Sequence, residues 1–449
     1  MEKYDVIVCG GGIAGVSAAI SAARMNQKVC LIERSALLGG LATIGLIHWY
    51  EPLCDGLGNQ MIYSNAEELL KLAISHGYNT LEDSWLYKNS DKHNKRYASW
   101  FDPNLFALSL TRLLDELHVT IYFESQISEV HMKNNLLTSI DIYTIEGKIN
   151  LRAKTFIDAT GSAYIFKKAK SKTKNGINYL TYATSTYKNG LKKPVFQYSG
   201  ASLSGNNQPE NVRIFSNANQ KDVNEYLLLG QKLCLKEYED GKLADVSILP
   251  SMIQFRKIST IIGDYQLSKD DLYKKHEDSI GVIGVFDKPG EWYELPIGIL
   301  KNSSVSNLFA AGRIVSCLDD EAWEATRVIP VCALTGEVSG LLASLYNKNK
   351  SLNISDVQTL LEKRNIKLHE LEDKINNLES ENYTIVYDVL DNLVEFISNN
   401  DELTEKKKKE TLEFMSTKLD KLLSKDELFY LNGLNDTFKS NENVKRLVK

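Results

Sequence analysis

The stretch DVIVCGGGIAGVSAAISAARMNQKVCLIER, residues 5–34, decides the fold. Its apolar run Val6–Cys9 predicts a buried strand, and the small and apolar residues of Val16–Arg24 predict a buried helix. Lys28–Glu33 then predicts a second strand, which ends in an acid. A glycine-rich turn joins the first strand to the helix. The stretch is therefore a complete βαβ unit and predicts an α/β fold built on a Rossmann-like sheet.

Three glycines in the turn have the spacing G-x-G-x-x-G, which is typical of dinucleotide-binding turns. Gly10 makes the tight turn, Gly12 lets backbone N–H groups approach a pyrophosphate, and Gly15 allows the helix to pack closely on the strand. Glu33 can accept hydrogen bonds from ribose hydroxyls and would repel a 2′-phosphate. The unit predicts a bound dinucleotide other than NADP, while the alternative is a turn whose glycines have a steric role only.

The composition is that of an ordinary globular chain, with 449 residues, 43% hydrophobic and 25% charged residues, and a formal net charge of −5. The length predicts two to three domains, and the charge gives no support for a nucleic acid partner. Six scattered cysteines without a C-x-x-C pair predict neither a metal site nor a disulfide framework. No run of 18 apolar residues occurs and the first strand begins at once, so we expect no signal peptide, no membrane span and a cytoplasmic protein.

Three motifs resemble those of the flavoprotein oxidoreductases of the glutathione reductase and succinate dehydrogenase/fumarate reductase superfamily. They are Glu33-Arg34 with LGGLAT at 38–43, FIDATG at 156–161, and NLFAAGR at 307–313. Within the superfamily the chain resembles in particular the bacterial group related to the flavoprotein subunit of heterodisulfide reductase. That likeness rests on Asp55-Gly56, Phe101–Pro103, Ile262–Tyr265 and the stretch Gly312–Gly340. The resemblance implies a noncovalent FAD cofactor.

The resemblance also implies a set of FAD contacts spread over these motifs. They are Gly10, Gly12, Ile13, Ala14, Gly15, Glu33, Arg34, Gly39, Gly40, Leu41, Ala42, Gln126, Ile127, Ala159, Thr160, Gly161, Gly312, Arg313, Val331 and Cys332. In the family, the backbone at Gln126 and Ile127 meets the adenine. The helix that begins near Pro330 would point its N-terminus at the pyrimidine edge of the flavin and stabilise negative charge on the reduced ring. The alternative for this segment is a buried packing helix.

Three departures from the superfamily pattern narrow the chemistry. Arg313 stands where many members have an aspartate that contacts the ribityl chain, although arginine is usual in the bacterial group. Cys54 stands alone after the Gly-Gly stretch, without the C-x₄-C pair of a disulfide reductase. No second G-x-G-x-x-G follows a strand, which argues against a separate NAD(P)H domain.

Three side chains are candidate catalytic groups. His48 could be an acid, a base or a substrate ligand, although a histidine flanked by aromatic residues is more often structural. Arg256 and Arg327 could hold a carboxylate or donate protons, or could be internal ion-pair partners. We expect Asp319–Glu321 to form a solvated turn, with Glu324 the nearby acid of interest.

The motifs divide the chain into three regions. Residues 1–165 and 296–348 are predicted to form a glutathione reductase-type FAD-binding domain, and 166–295 an inserted α+β substrate or cap domain. Residues 349–449 predict a helical C-terminal region, with an amphipathic helix at Ile385–Ile397. This region either docks on its own core or offers a partner or homodimer surface.

The leading functional prediction is an FAD-dependent oxidoreductase that moves a hydride between a small polar organic substrate and flavin N5. An external electron donor or acceptor is possible. The alternatives are a flavoprotein electron-transfer subunit of a larger redox complex, a flavoprotein that uses FAD without redox chemistry, and an NAD-linked dehydrogenase, which the second and third motifs disfavour.

Overall fold

The computed structural model describes residues 3–56, 58–82, 85, 96–186, 194–202, 205–243 and 245–370. Of the helical region expected over 349–449, the described part includes one short helix, Ile354–Glu362. The amphipathic helix expected at Ile385–Ile397 and the possible dimer surface there lie outside the described residues.

Strands and helices alternate along the first part of the chain. In chain order the strands are β1 (Lys3–Cys9), β2 (Val29–Ile32), β3 (Trp49–Tyr50), β4 (Ser99–Trp100), β5 (Thr120–Tyr122), β6 (Gln126–Lys133), β7 (Leu136–Thr144), β8 (Gly147–Asp158), β9 (Thr173–Asn175), β10 (Thr181–Thr186), β11 (Val195–Gly200), β12 (Ser259–Ile261), β13 (Ser279–Gly284), β14 (Trp292–Pro296) and β15 (Leu308–Ala310). The described helices are α1 (Ile13–Arg24), α2 (Asn65–Ile74), α3 (Pro103–Glu116), α4 (Tyr164–Lys168), α5 (Gln220–Glu239), α6 (Asp320–Thr326), α7 (Ile329–Asn349) and α8 (Ile354–Glu362).

A seven-stranded sheet organises the FAD-binding motifs. Its parallel part has the order β5-β2-β1-β8-β15, and β7 and β6 extend it by antiparallel pairing on the first half of β8. In the register, Val8 pairs with Leu31 on one side and with Ile157 on the other. The βαβ unit predicted over residues 5–34 is confirmed, and so is the Rossmann-like α/β fold.

The helices α1 and α7 lie side by side at the distance that small residues permit. A Cβ atom on Gly336 would lie 2.1 Å from the carbonyl oxygen of Ala14, and one on Gly340 would lie 2.3 Å from that of Ala18. The Ser17 hydroxyl donates to the carbonyl of Ala333 across the same contact, at 2.6 Å. Any larger side chain at the two glycines would therefore push the helices apart.

Among the described residues, α7 is long and apolar enough to cross a membrane, but 94% of its apolar window is buried inside the protein. It starts, as predicted, with a proline in its first turn. The helix α3 likewise has a proline in its first turn, and Asp102 caps it by accepting the N–H groups of Asn104 and Leu105.

Asp319–Glu321 do not form the expected turn, so that prediction is wrong. Asp319 is instead the N-cap of α6, where its side chain accepts the N–H of Ala322 at 2.9 Å. An aspartate cap followed by acidic residues in the first turn favours a helix start. The cap accepts a free backbone N–H, and the acidic side chains face the positive N-terminal end of the helix.

The smallest of three apolar cores among the described residues lies within residues 180–255. It is formed by Leu180, Tyr182, Phe215, Tyr226, Cys234, Leu243 and Phe255, between α5 and the antiparallel pair β10–β11. By contrast, Leu267, Tyr273 and Trp292 belong to the large core that also contains α1 and α7. Part of the segment assigned to the cap thus packs with the FAD-binding region, and the division at residues 165 and 295 stays a prediction.

Candidate functional site

An open groove of about 990 Å³, part of it open to solvent, runs along the carboxyl ends of β1 and β2. This is where ligands bind in open α/β sheets. Most of the predicted cofactor contacts line it, namely Gly10, Gly12, Ile13, Ala14, Glu33, Arg34, Gly39, Gly40, Leu41, Ala42, Ala159, Thr160, Gly161, Gly312, Arg313 and Cys332. The sheet therefore brings all three motifs to one place.

The glycine turn leaves space and donors for a phosphate. A Cβ atom on Gly12 would meet no atom within 4 Å, so the turn is open on its groove side. Among the described residues, the N–H groups of Gly12 and Ala14 have no hydrogen-bond acceptor. Unpaired N–H groups at the start of a helix form an anion site, and a pyrophosphate fits it.

Gly15 does not line the groove but packs beneath it. A Cβ atom at this position would lie 1.8 Å from the carbonyl oxygen of Gly10, so only glycine lets α1 approach the turn. Gly10 itself has a φ of +105°, a conformation that favours glycine. The two glycines shape the turn, and Gly12 provides the opening.

The Glu33 carboxylate lies at one end of the groove and is 8% exposed. One of its oxygens, Oε2, accepts the N–H of Gly11 at 2.7 Å. The other, Oε1, accepts the N–H of Ser35 at 2.9 Å and the Ser35 hydroxyl at 2.7 Å. A carboxylate offers about four acceptor positions, so Glu33 can brace the turn and still accept a ribose hydroxyl.

Asp158, at the end of β8, supports the second motif from below. It accepts the N–H and the hydroxyl of Thr160 on one oxygen and the N–H groups of Ile165 and Phe166 on the other. Burial raises the pKa of this carboxyl against those hydrogen bonds. Asp158 belongs to the second motif, but its positioning role was not predicted from the sequence.

Arg313 crosses from the third motif to the inserted segment. Its guanidinium donates to the carbonyl oxygens of Phe255, at 2.8 Å, and Arg256. A Cβ atom on Gly161 would lie 2.5 Å from its Nη2 atom, so that glycine makes room for it. The pKa of Arg313 is lowered to about 10, mainly by burial and in part by the positive charges of Arg256 and Arg34.

Two further arginines of the groove lining meet one acid, Glu324. Arg256 and Arg327 line the groove, and both reach the same oxygen of Glu324. The Nη2–Oε2 distance is 2.5 Å from Arg327 and 3.8 Å from Arg256. The Arg327 guanidinium also lies over the rings of Phe286 and Trp323, at 5.4 and 5.9 Å from their centres.

The groove also contains Glu51, which sequence reasoning missed. Its side chain follows β3, is 6% exposed, and accepts the N–H of Ile329 at the start of α7, at 3.0 Å. Burial raises the pKa of Glu51 to about 7. Only its position directly after the aromatic run 48–50 could have drawn attention to it.

His48 does not line the groove. It is 1% exposed, its Nε2 lies 3.0 Å from the Ser185 hydroxyl, and its Nδ1 lies 2.8 Å from the Tyr78 hydroxyl and 3.3 Å from the Phe101 carbonyl. Both ring nitrogens therefore have partners within the fold. A catalytic role for His48 stays a prediction, and this geometry favours the structural alternative.

Gln126, Ile127 and Val331 also lie outside the groove lining. Gln126 directly follows Ser125, whose N–H donates to the carbonyl of Glu33 at 3.0 Å, so the chain there runs beside the Glu33 end. The buried N–H of Val331, in the first turn of α7, has no acceptor among the described residues. No group of three or more His, Cys, Asp or Glu residues in the described chain is placed to hold a metal ion.

The family described as FAD dependent oxidoreductase matches residues 5–228 and 184–365, which together span most of the chain. The chain belongs to this family. FAD is its cofactor, and the phosphate cradle, the acid at Glu33 and the open groove fit that dinucleotide.

Two curated relatives match parts of the chain. The tRNA uridine 5-carboxymethylaminomethyl modification enzyme of Buchnera aphidicola is 29% identical over 171 residues, which are 36% of this chain and 25% of that enzyme. The fumarate reductase (cytochrome) of Shewanella frigidimarina is 32% identical over 99 residues, 22% of this chain and 17% of that enzyme. The chain therefore matches a quarter or less of the length of these relatives.

Among solved structures, a geranylgeranyl bacteriochlorophyll reductase-like protein of Thermoplasma acidophilum covers 97% of this chain and 99% of its own. It is 14% identical, with a TM-score of 0.40. These values are too low to say anything about function.

Proposed function

We propose that the protein transfers a hydride between a small anionic organic substrate and N5 of FAD. When bound, FAD supplies the electron chemistry, while the protein supplies binding, orientation and exclusion of water. The observation that carries the proposal is the pair Arg256 and Arg327, whose guanidinium groups converge on one carboxylate oxygen of Glu324 in the same groove.

Glu324 indicates where an anionic substrate would bind. Its side chain is 45% exposed, so it can turn toward solvent, whereas the side chains of Arg256 and Arg327 are 16% and 12% exposed. A substrate carboxylate that takes the place of the Glu324 carboxylate would find two nearly buried guanidinium groups in position. Arginine suits this task because its planar fork matches the geometry of a carboxylate.

Contacts of three side chains, Arg313, Lys257 and Arg256, hold the segment that contains Arg256 against the FAD-binding region. Arg313 holds the carbonyls of Phe255 and Arg256, and Lys257 pairs with Asp320 of α6. The ion pair of Arg256 with Glu324 reaches the same helix. Arg256 is therefore preorganised over the groove, as a substrate-orienting residue must be.

The finer kinship also belongs to the proposal. We infer that the chain is related to the bacterial group that resembles the flavoprotein subunit of heterodisulfide reductase, on the motifs quoted above. An external electron donor or acceptor would then close the catalytic cycle. The alternative role as an electron-transfer subunit has less support, because no cysteine cluster for an iron–sulfur centre occurs in the sequence.

The test starts with the purified protein, which should be yellow and should release FAD into the supernatant on acid denaturation. Anaerobic mixing with a panel of small carboxylates, in both flavin redox states, should identify compounds that bleach or restore the flavin absorption. Arg256→Ala and Arg327→Ala should fold and retain FAD. Their affinity for the responding carboxylate should fall roughly ten- to hundredfold, as expected for a lost charged hydrogen bond.

Glu324→Gln is the matched variant for this experiment. Removing the internal carboxylate should leave the arginines available, so the same carboxylates should bind more tightly than to wild type. Wild-type turnover in both arginine variants, or weaker carboxylate binding in Glu324→Gln, would contradict the proposed substrate site. Absence of FAD from the purified protein would contradict the proposed function itself.

A further inference from the structure

We propose that Glu51 is the protein's redox-linked protonation site, whose carboxylate takes up a proton when the flavin is reduced and releases it on reoxidation. The inference rests on the proposed redox function, because only a reduced flavin brings new negative charge into the groove. It assigns a role to a side chain that neither binds the dinucleotide phosphates nor belongs to the arginine pair.

The position of Glu51 follows from the order of groups along FAD. Glu33 and the Gly12 turn provide for the ribose and the pyrophosphate at one end of the groove. The isoalloxazine would then lie toward the start of α7, which contributes Ile329 to the same lining and whose first N–H is bound by Glu51. Glu51 is thus the buried carboxyl at the flavin end.

The start of α7 shows how Glu51 and the flavin share one set of donors. Glu51 Oε2 accepts the N–H of Ile329, and Pro330 has no N–H to offer. The next N–H, that of Val331, has no acceptor among the residues described. The positive end of this helix therefore faces two possible negative groups, the Glu51 carboxylate and a reduced flavin, in one low-dielectric space.

The charged and titratable neighbours set the balance at Glu51. Arg256, from the inserted segment, favours the ionised form of Glu51. An ionised Glu51 would in turn oppose ionisation of the Cys332 thiol of α7 and of the adjacent Tyr50. Burial raises the pKa of Glu51 to about 7, and the Ile329 N–H and Arg256 only partly offset this. Near neutral pH, a modest change in the field of the groove is therefore enough to change its protonation.

The chemistry balances with one proton at N5 and one at Glu51. A hydride carries two electrons and one proton to N5, which leaves one additional negative charge on the cofactor. That charge raises the proton affinity of a carboxylate in the same groove. A second proton from water then binds a Glu51 carboxylate oxygen, and it returns to water when the flavin gives up its electrons.

The experiment measures the midpoint potential of the FAD-loaded full-length protein as a function of pH, with photoreduction from an added electron donor and reference dyes. For a two-electron couple, each proton taken up contributes about 30 mV per pH unit. Wild type should therefore show a slope that approaches 60 mV per pH unit above pH 7, where Glu51 is mostly ionised before reduction. Glu51→Gln, which cannot take up the proton, should show a slope near 30 mV per pH unit over the same range.

Glu337→Gln is the matched control, because Glu337 is also a buried carboxyl but lies within α7 and does not line the groove. Its slope should equal that of wild type. A second measurement uses wild type alone: near pH 8, where Glu51 is mostly ionised while the flavin is oxidised, an indicator dye should record close to two protons per two electrons, and the infrared difference spectrum should gain the carbonyl band of a protonated carboxylic acid.

Equal slopes in wild type and Glu51→Gln would overturn the assignment while leaving flavin redox chemistry intact. If the variant does not retain FAD, the wild-type measurement decides. Uptake of only one proton per two electrons, without a new carboxylic acid band, would overturn the assignment of Glu51. A flavin that cannot be reduced reversibly would instead contradict the proposed function.

Discussion

The Glu33 carboxylate both stabilises the glycine turn, by accepting the Gly11 N–H, and lines the groove. Glu33→Ala removes the acceptor of the Gly11 N–H together with the predicted acceptor of the ribose hydroxyls. Loss of hydrogen bonds to a charged group costs about 1.5–3 kcal/mol, so FAD affinity should fall about ten- to hundredfold. Titration of the apoprotein with FAD, followed by flavin fluorescence, measures the change.

Glu68→Ala is a suitable control for this variant. Glu68 is a half-exposed carboxylate that pairs with Arg24 at 2.7 Å, away from the groove. FAD affinity should be the same as in wild type. An unchanged affinity in Glu33→Ala would mean that other groups hold the ribose.

His48 can be assigned by separating stability from pH dependence. If it is structural, His48→Ala should lower the free energy of unfolding by about 2 kcal/mol, because the buried Ser185 hydroxyl and the partly buried Tyr78 hydroxyl lose a partner. The pH profile of flavin reduction by substrate should then keep its shape. A shifted profile with unchanged urea unfolding would restore the acid or base role, and the exposed His76→Ala serves as the control.

Two glycine substitutions distinguish packing from cofactor binding in α1 and its neighbours. Gly336→Ala places a methyl group against the Ala14 carbonyl at the α1–α7 contact, so it should lower the free energy of unfolding by roughly 1–3 kcal/mol. Gly12→Ala meets no protein atom and has an ordinary φ of −67°, so the apoprotein should remain as stable as wild type.

FAD affinity should show the reverse effect. The Gly12→Ala methyl group occupies the space where a pyrophosphate would approach the turn, so affinity should fall about tenfold or more, equivalent to about 1.4 kcal/mol. Urea unfolding of the apoproteins and FAD titration of both variants check the pair. Normal FAD affinity in Gly12→Ala would show that the phosphates bind elsewhere.

The local elements could be predicted from the sequence because their signals lie within short windows. The βαβ unit and the proline start of α7 both follow from adjacent residues. The start of α6 was missed because the acidic run 319–321 looks equally polar in a turn and in a capped first helical turn.

The groove could be predicted only in part, because some of its contacts join distant residues. Glu51 meets Ile329 across 278 positions, and His48 meets Ser185 across 137. No local pattern shows that Glu51 is buried at the start of α7, or that both nitrogens of His48 are engaged. The motif residues could be found because the superfamily pattern marks them.

The groove depends on links between the large apolar core around α1 and α7 and the smallest core, within residues 180–255. Arg313 binds the carbonyls of Phe255 and Arg256, and Gln254 Nε2 donates to the carbonyl of Gly45 at 2.7 Å. These bonds run between the FAD-binding motifs and the segment that presents Arg256. Because that segment packs at the smallest core, the substrate end of the site requires both cores to be folded together.

Stability of the apoprotein should depend on pH through Glu51. Its pKa is about 7 in the folded chain and near the ordinary 4.5 when unfolded, so between these values the folded state holds more protons. The free energy of unfolding must then fall as pH rises through this range, by about 3 kcal/mol from this group. Urea unfolding at pH 5 and pH 8 should show a smaller decrease in Glu51→Gln than in wild type. Glu68→Gln, at a half-exposed carboxylate away from the groove, is the control, and identical pH profiles for wild type and Glu51→Gln would show that Glu51 titrates normally.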